Sequence, residues 1–314
     1  MALSQSIKKL TLGVVASFLL TAQALASGGA PARGYTETDH PIVMIGGFLA
    51  FDEILGINYF YQIPGNLAKD GATVYPVNVS AFSSTSERGE QLINQLEEIK
   101  ATKGHSKFNL MGHSGGATTI RYVAGVRPDL VASVTSIHGS NAGVPIADII
   151  ADGSIAQSLL GSILDLAGNV VEFIGGHDPS DFPQNGVGML REYRTDITAQ
   201  FNAEYSDGLP TSSCGEGAYS VNGIRYYSWG GTRSFTNALD LLDPLFAITG
   251  LLTGGANDGL IPRCGNHLGD VIRDDYPHNH VDAMNHLFGL RGLFTPDPKQ
   301  LYRQQANRMQ KAGL

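Results

Sequence analysis

A pentapeptide of the form G-x-S-x-G, at residues 112–116, separates a strand-like run from a helix-like run. The apolar residues 108–111 suit a buried strand, and apolar residues recur at helical spacing after the pentapeptide. A serine on such a sharp strand-to-helix turn leaves room only for small residues two positions before and after it, which Gly112 and Gly116 supply. This context predicts that Ser114 is an exposed nucleophile at the carboxyl edge of a sheet. Without it, the same letters would fit an ordinary glycine-rich turn.

Strand-like and helix-like segments alternate along the chain. We predict strands at 40–45, 72–79, 108–111, 131–137 and 226–229, and helices at 86–101 and 117–126. Because parallel neighbours need crossover connections, this order predicts an α/β fold with a mostly parallel sheet and helices on both faces. No internal repeat or low-complexity linker divides the segments. We therefore expect one catalytic domain that contains an insertion.

The first 26 residues predict a secretory signal peptide. They open with a basic start, continue with the apolar run 10–22, and reach an A-x-A cleavage site that ends at Ala26. The alternative is a membrane anchor, but a run of about 13 residues is well short of the roughly 20 that cross a bilayer. We expect a mature chain of 27–314 that is exported through the periplasm, is extracellular and has no transmembrane segment.

Net charge and cysteine content limit the ligands and cross-links that the chain can have. The formal net charge of −8 at pH 7 argues against nucleic acid. The two cysteines, Cys214 and Cys264, cannot build a thiolate zinc site by themselves. In an exported protein they predict one disulfide that closes a loop of about 50 residues. Such a bond would tie the segment 219–229 to the segment that contains Asp258.

An apolar insertion spans about residues 144–176. Its later part is rich in leucine, isoleucine and valine, with only Asp165 and Glu172 as charged residues. An apolar helix is usually part of the core, which is one interpretation. However, the segment directly follows the strand after the predicted nucleophile, where enzymes that act on lipid have a mobile lid. We therefore predict a lid, an expectation that depends on the role of Ser114.

The base that activates the serine is expected later in the chain. In this type of site an acid and then a histidine follow the nucleophile, on loops at the same sheet edge. His40 and His105 precede the serine, and His113 adjoins it. His138, His177 and His267 remain possible but have no acid in the required order and spacing beside them. His278 and His280 lie in a turn-rich loop before the apolar-periodic run 281–290, which suits a catalytic base. The residues favour His280 only slightly.

Two aspartates are candidates for the acid. Asp258 lies in an Asn-Asp-Gly turn after a glycine-rich loop, which suits a carboxylate at the end of a strand. Asp243 is the other candidate, and the residues alone favour Asp258 only slightly. An aspartate in such a turn often serves the turn itself.

Longer strings in the chain resemble the secreted true lipases of Pseudomonas and Burkholderia. These strings are PIV at 41–43, FDEILG at 51–56, RGEQL at 88–92, IRYVAGVRPDL at 120–130, CGEGAY at 214–219, ANDGL at 256–260 and NHVD at 279–282. The likeness covers about residues 36–314. It implies an α/β-hydrolase fold, hydrolysis of triacylglycerol esters and, as in many members, a lipase-specific folding chaperone during export.

The resemblance also implies the roles of the catalytic groups. It makes Ser114 the nucleophile, Asp258 the acid and His280 the base. It places the oxyanion hole at two backbone N–H groups, those of Gly115 and Phe48. Such donors are typically worth a few kcal/mol each in the transition state.

A structural calcium ion is a further implication of the resemblance. Its ligands would be the Asp243 and Asp282 carboxylates with the backbone carbonyls of His286 and Leu290. Calcium prefers oxygen ligands, and Asp282 would hold the His280 loop in place. From the residues alone, Asp243 would be a helix cap and Asp282 an acid in a first helical turn. The two cysteines also match the disulfide pair of the family.

The chain departs from the family beside the oxyanion hole. The family usually has His-Gly where this chain has Gly46 and Gly47, and Phe48 replaces the usual next residue. After the nucleophile the family often has His-Gly-Gly, whereas Gly115 begins Gly-Gly-Ala here. These changes remove side chains but keep the backbone donors, so they bear on pocket shape and acyl preference.

Other functions on this chain remain alternatives. Within the same fold, a short-chain carboxylesterase or a polyester depolymerase would use the same groups. A catalytically silent lipid-binding protein would retain the lid but lose members of the triad. The presence of Ser114, Asp258 and His280 together argues against that last alternative.

Overall fold

The computed structural model of the chain describes residues 33–47, 53–54, 57–80, 83–154, 161, 190–286 and 288–314. The structural statements that follow concern these residues, within the compact unit Tyr35–Leu314. The predicted signal peptide, Phe48 and most of the predicted lid lie outside the described residues.

Seven strands form one sheet, and two short strands form a separate ribbon. In chain order the strands are β1 Ile42–Ile45, β2 Glu53–Ile54, β3 Ile57–Asn58, β4 Val74–Val77, β5 Phe108–His113, β6 Val131–Ile137, β7 Ser220–Val221, β8 Ile224–Gly231 and β9 Asp270–Tyr276. The sheet order is β4-β1-β5-β6-β8-β7, and β9 also pairs with β8. All pairings in this sheet are parallel except that of β7 with β8.

Helices follow most of the parallel strands, as crossover connections require. The α-helices are α1 Ile63–Ala68, α2 Thr85–Lys103, α3 Gly116–Val126, α4 Pro145–Ala151, α5 Thr195–Glu204, α6 Asp243–Thr253 and α7 Pro298–Lys311. Short 3-10 helices lie at Pro128–Leu130, Arg191–Tyr193, Arg263–Asn266 and Asp282–Met284. The start of α2 shows how local sequence sets a boundary. The Ser84 side chain accepts from Glu87 N while the Glu87 carboxylate accepts from Ser84 N, which satisfies two N–H groups at that end of the helix.

Alternate residues of the strands supply the two halves of the core. Ile42 and Met44 of β1 pack with residues of α1 and α7 on one face of the sheet. Val43 and Ile45 pack with residues of α2 and α3 on the other face. Because successive strand residues point to opposite faces, both faces need a covering layer of helices. The predicted α/β fold with helices on both faces is confirmed. The five predicted strands and the helices predicted at 86–101 and 117–126 are each present within a few residues.

The predicted disulfide is also present. Cys214 and Cys264 are bonded, with a sequence separation of 50 residues. The bond joins the loop before β7 to the 3-10 helix Arg263–Asn266, shortly after Asp258. Within the described ranges, no helix is both long enough and apolar enough to cross a membrane.

Candidate active site

Ser114 lies on a strained turn between β5 and α3. Its φ is 57°, in a region that residues other than glycine rarely adopt. The flanking glycines are required by space, because a Cβ on Gly112 would lie 2.8 Å from Ala117 N and one on Gly116 would lie 2.6 Å from Ile45 O. The backbone therefore has the geometry that the pentapeptide predicts, at the carboxyl end of a central strand.

His280 connects the serine to a buried carboxylate. Its Nε2 lies 2.8 Å from Ser114 Oγ, and its Nδ1 lies 2.9 Å from Asp258 Oδ2. Because an ionised carboxylate only accepts hydrogen bonds, Nδ1 carries the hydrogen and Nε2 is available to accept the serine proton. The other candidate base, His278, instead has its Nε2 2.8 Å from Pro296 O.

Asp258 is surrounded by donors. Its Oδ1 accepts from the N–H groups of Leu260 and Ile261, at 3.0 and 2.7 Å. Its Oδ2 faces Nδ1 of both His280 and His138. Burial opposes ionisation of this group, but the two imidazoles outweigh that cost and hold the pKa of Asp258 well below its usual range. The Asp258 carboxylate is therefore charged and can orient the His280 ring.

The contact of His138 with the acid is one that the sequence reasoning missed. His138 remained a possible base with no acid in the required order and spacing, yet its Nδ1 lies 2.7 Å from Asp258 Oδ2. Its place directly after β6, a neighbour of the nucleophile strand, was the available signal. The potential ligand atoms of His138, Asp258 and His280 all lie within 4.8 Å of one another, so the group could hold a metal ion. The hydrogen-bond distances to one shared oxygen instead fit two imidazole donors and one carboxylate acceptor.

Of the two residues predicted to form the oxyanion hole, the structure describes Gly115. Gly115 lies next to the nucleophile, and Gly47 lies against it, since a Cβ on Gly47 would be 2.9 Å from Gly115 N. Phe48, the second predicted donor, lies outside the described residues. A Cβ on Gly115 would collide with the ring of Tyr193, whose Cζ would be only 2.5 Å away. Tyr193 therefore fills the space beside Gly115, which gives a steric reason for the absence of a side chain there.

A buried arginine holds the loop that contains Gly47. Arg88 of α2 donates to the carbonyl oxygens of Gly46 and Gly47, at 2.7 and 3.3 Å, and to the Tyr193 hydroxyl at 3.0 Å. Its side chain is fully buried. These contacts join the Gly46–Gly47 loop to Tyr193. They span more than 40 residues of sequence, so no local pattern predicts them.

A second network joins the same loop to the His280 loop. His113 Nε2 lies 2.9 Å from the carbonyl oxygen of His280, which can only accept, so His113 donates from that nitrogen. Burial holds the pKa of His113 well below its usual value, so its Nδ1 accepts from the Tyr59 hydroxyl at 2.8 Å. The Tyr59 oxygen in turn accepts from Gly47 N–H at 3.1 Å.

Three buried aspartates form an acidic cluster near the start of α6. Asp240, Asp243 and Asp282 are each at most 2% exposed. Burial, with smaller contributions from the Asp240 and Asp243 charges, raises the pKa of Asp282 to about 7. Burial also raises the pKa of Asp240 to about 6. The environment thus disfavours the charged forms of these two groups.

Asn279 connects two of these carboxylates. Its side-chain amide donates to Asp243 Oδ1 at 2.6 Å, and its backbone N–H donates to Asp282 Oδ2 at 3.1 Å. Asp243 Oδ2 accepts from the N–H groups of Thr236 and Asn237. Asp243 is the first residue of α6, but its side chain makes no cap contact, so the helix-cap interpretation is wrong. Asn279 had no signal in the sequence other than its place beside His280.

The carboxylate oxygens of the cluster are suitable ligands for a hard cation. Asp282 Oδ1 and Asp240 Oδ2 are buried and have no hydrogen-bond partner among the described residues. Oxygen-rich, anionic and unsatisfied groups of this kind are what Ca²⁺ binds. The predicted helical run after Asp282 is only the 3-10 helix Asp282–Met284, followed by a turn. His286 and Leu290, the predicted carbonyl ligands, lie on and after that turn.

The start of the predicted lid packs beside the site. Val144, Ile146 and Ala147, at the start of α4, form a small apolar cluster with Tyr193 and Ile261. The segment 155–160 and residues 162–176 lie outside the described residues, so the lid stays a prediction.

Comparisons with known proteins agree with this architecture. A family model described as alpha/beta hydrolase fold matches residues 40–268. The chain is 47% identical over 286 residues to a triacylglycerol lipase of Vibrio cholerae, with 90% of this chain and 91% of the relative covered. It is 36% identical over 292 residues to a triacylglycerol lipase of Pseudomonas fragi, with 88% and 98% covered. A solved metagenomic carboxyl esterase has a TM-score of 0.59 at 18% identity, with 91% of this chain and 80% of that chain covered, and this likeness shows the fold alone.

Proposed function

The chain belongs to the triacylglycerol lipase family of α/β hydrolases, and we propose that it is a secreted lipase that hydrolyses acylglycerol esters through an acyl-enzyme. The observation that carries this proposal is the continuous contact from Ser114 Oγ through the His280 ring to Asp258. Of these three groups Ser114, which the ester must reach, is partly exposed at the carboxyl end of β5, while His280 and Asp258 are buried behind it.

The first half of the reaction forms the acyl-enzyme. Ser114 Oγ attacks the ester carbonyl carbon while its proton passes to His280 Nε2, and Asp258 stabilises the imidazolium that results. The negative oxygen of the tetrahedral intermediate is stabilised by the N–H groups of Gly115 and Phe48. The intermediate then expels the alcohol, which takes the proton from His280.

The second half releases the fatty acid. A water molecule gives a proton to His280 while the water oxygen attacks the carbonyl carbon of the acyl group on Ser114. Collapse of the second tetrahedral intermediate breaks the bond to Ser114 Oγ, which recovers the proton from His280. The acid leaves and the enzyme regains its starting protonation state.

We also propose that the acidic cluster holds a structural Ca²⁺. Asp243 and Asp282 would bind it, with the carbonyls of His286 and Leu290 completing the set. The ion would supply positive charge that stabilises buried carboxylates, and it takes no part in bond making. Because Asn279 contacts both carboxylates and precedes His280, ordering the cluster also orders the catalytic loop.

Three further parts of the proposal concern the path and the substrate interface. The sequence of residues 1–26 supports export through a signal peptide to the extracellular space. The family resemblance supports assistance by a lipase-specific folding chaperone. The apolar segment 144–176 supports a lid that covers the site in water and opens at a lipid surface.

The proposal is tested with the purified mature chain on a ladder of esters. The wild type should hydrolyse emulsified trioctanoin and monomeric p-nitrophenyl butyrate, and Ser114→Ala is the blank for both. A lidded lipase should gain specific activity when the substrate passes its solubility limit. Equal activity on both sides of that limit would indicate a short-chain esterase with an open pocket. A folded protein that binds the emulsion but hydrolyses no ester would contradict the enzymatic proposal.

A further inference from the structure

His138 contacts the proposed triad but has no role in the mechanism above. It is the first residue after β6, its side chain is fully buried, and its Nδ1 lies 2.7 Å from Asp258 Oδ2. His280 Nδ1 lies 2.9 Å from the same oxygen. Two imidazole rings therefore share one carboxylate oxygen, and one of them is the proposed catalytic base.

The direction of the hydrogen bond follows from the chemistry of the pair. An ionised Asp258 only accepts, so His138 donates from Nδ1. Burial lowers the pKa of His138 more than the neighbouring Asp258 raises it, which keeps the ring neutral. Its Nε2 is buried without a hydrogen-bond partner in the described part of the chain. His138 therefore acts on its surroundings through the single bond to Asp258.

The other contacts of Asp258 explain why that bond has an effect of its own. The N–H groups of Leu260 and Ile261 bind Oδ1, and both belong to the same turn as Asp258. A carboxylate held only by its own turn would move with that turn. His138 extends from the end of β6, so its bond ties Oδ2 to the central sheet. The direction of Oδ2 toward His280 is thus fixed from outside the loop.

The backbone at this position is strained in order to place the ring. His138 has a φ of 46°, in a region where non-glycine residues are uncommon and strained. The ring rests against Gly231 at the end of β8, where a Cβ would come within 2.6 Å of His138 Cε1. The strained backbone of His138 and the one hydrogen bond that its buried ring makes within the described residues, to Asp258, both fit a role in positioning that carboxylate.

We propose that His138 is a positioning residue for the ester hydrolysis proposed above: its Nδ1–H holds Asp258 Oδ2 toward the His280 ring. The Asp258 carboxylate then keeps the His280 tautomer and orientation that direct Nε2 at Ser114. This inference rests on the proposed function, because the orientation of Asp258 affects turnover only if the triad acts as described.

Two substitutions at position 138 separate the donor from the rest of the ring. Both glycine and asparagine tolerate a positive φ, so neither adds backbone strain. The asparagine Nδ2 is bonded to Cγ, as the histidine Nδ1 is, so His138→Asn keeps a donor at nearly the same point. His138→Gly removes the donor, and both variants lose most of the ring volume. The difference in kcat between the two variants therefore tests the effect of a hydrogen-bond donor at this point, with the ring absent from both.

Steady-state constants on p-nitrophenyl butyrate, normalised to active sites, provide the readout. His138→Gly should lower kcat by about 10- to 100-fold because a misplaced catalytic group costs that much, while KM stays within about twofold. His138→Asn should restore kcat to within about threefold of wild type. The matched control is His267→Gly, which truncates another buried histidine bonded to an aspartate, Asp274, outside the triad. It should lower the melting temperature and leave kcat within about twofold.

A double-mutant cycle tests whether His138 acts through Asp258. In an Asp258→Asn background, His138→Gly should cost less than about threefold further in kcat, because the carboxylate that it positions is gone. If the glycine variant does not fold, His138→Ala, which also lacks the donor, replaces it in the cycle.

The outcomes distinguish this inference from the proposed function. Retained turnover in Ser114→Ala would overturn the proposed function itself. With Ser114→Ala inactive, a wild-type kcat in the donor-free variant, equal losses in the glycine and asparagine variants, or additive losses in the cycle would each overturn the role of His138. Rescue by asparagine together with a non-additive cycle would establish it.

Discussion

Asp258, which contacts His280, is as buried as Asp240 and Asp282 of the acidic cluster. The surroundings of the two regions nevertheless have opposite effects on the negative charge of a carboxylate. Asp258 receives two backbone N–H groups and two imidazole N–H groups, and its pKa is held well below the usual range. Asp282 and Asp240 each have one buried oxygen without a partner among the described residues, and burial raises their pKa values to about 7 and about 6.

The difference shows that burial alone does not decide the state of a carboxylate. The chain solvates the Asp258 charge with its own donors, so the charge is ready to orient a catalytic histidine. It leaves the Asp282 and Asp240 charges without enough donors, which destabilises them unless a cation compensates. The satisfied Asp258 carboxylate belongs to the proposed triad, and the unsatisfied oxygens of Asp282 and Asp240 belong to the cluster proposed to hold an ion.

Removing the satisfied charge should have the largest effect. Asp258→Asn keeps the shape of the side chain but cannot stabilise an imidazolium or enforce the His280 tautomer. We expect kcat on p-nitrophenyl butyrate to fall by about 10³- to 10⁴-fold. Asp274→Asn is the control, since Asp274 also accepts from a histidine, His267, but lies outside the triad. A loss of similar size in both variants would mean that the Asp258 charge has no special role.

Calcium removal should have the next largest effect, and on stability. At 100-fold excess over its dissociation constant, an ion that binds only the folded state adds about 2.7 kcal/mol to the free energy of unfolding. For a chain of this size that corresponds to roughly 5–10 °C in melting temperature. Calcium should produce this shift in the wild type, better than magnesium, and not in Asp282→Asn. A sample shown by elemental analysis to lack metal, yet with full stability and activity, would exclude the site.

The pH dependence of the calcium effect should be smaller, a few degrees. The raised pKa values mean that the folded chain holds protons on Asp282 and Asp240 more tightly than the unfolded chain. Their contribution to stability is present below about pH 4 and is lost as the pH rises through about 6–7. Calcium competes with those protons, so it should raise the melting temperature more at pH 8 than at pH 5. A pH-independent shift would show that the ion binds elsewhere.

The sequence predicted the parts of the molecule that depend on local pattern. Apolar periodicity and the pentapeptide suffice for the strand and the helix on either side of Ser114, because strand and helix periods are local properties. Chain order and spacing favoured His278 and His280 as the base but could not separate them, since both lie in one loop. The contact of His278 with Pro296 and that of His280 with Ser114 arise only in the folded chain.

Long-range packing explains what the sequence could not supply. Tyr193 fills the space beside Gly115, and Arg88 binds the carbonyls of Gly46 and Gly47. Neither contact has a spacing that a sequence pattern can detect. The order and spacing of base and acid gave His138 no acid as a partner, and that rule does not cover residues that contact the acid without acting as the base.

Covalent labelling of the nucleophile tests the central claim most directly. The active chain is inactivated with a long-chain phosphonate ester, and the modified peptide is identified by mass spectrometry. The account predicts one adduct per molecule, on Ser114 and on no other residue, with turnover lost in proportion to labelling. Ser114→Ala should take up no label and hydrolyse no ester while keeping the wild-type fold. An adduct on another residue, or ester hydrolysis by folded Ser114→Ala, would contradict the account.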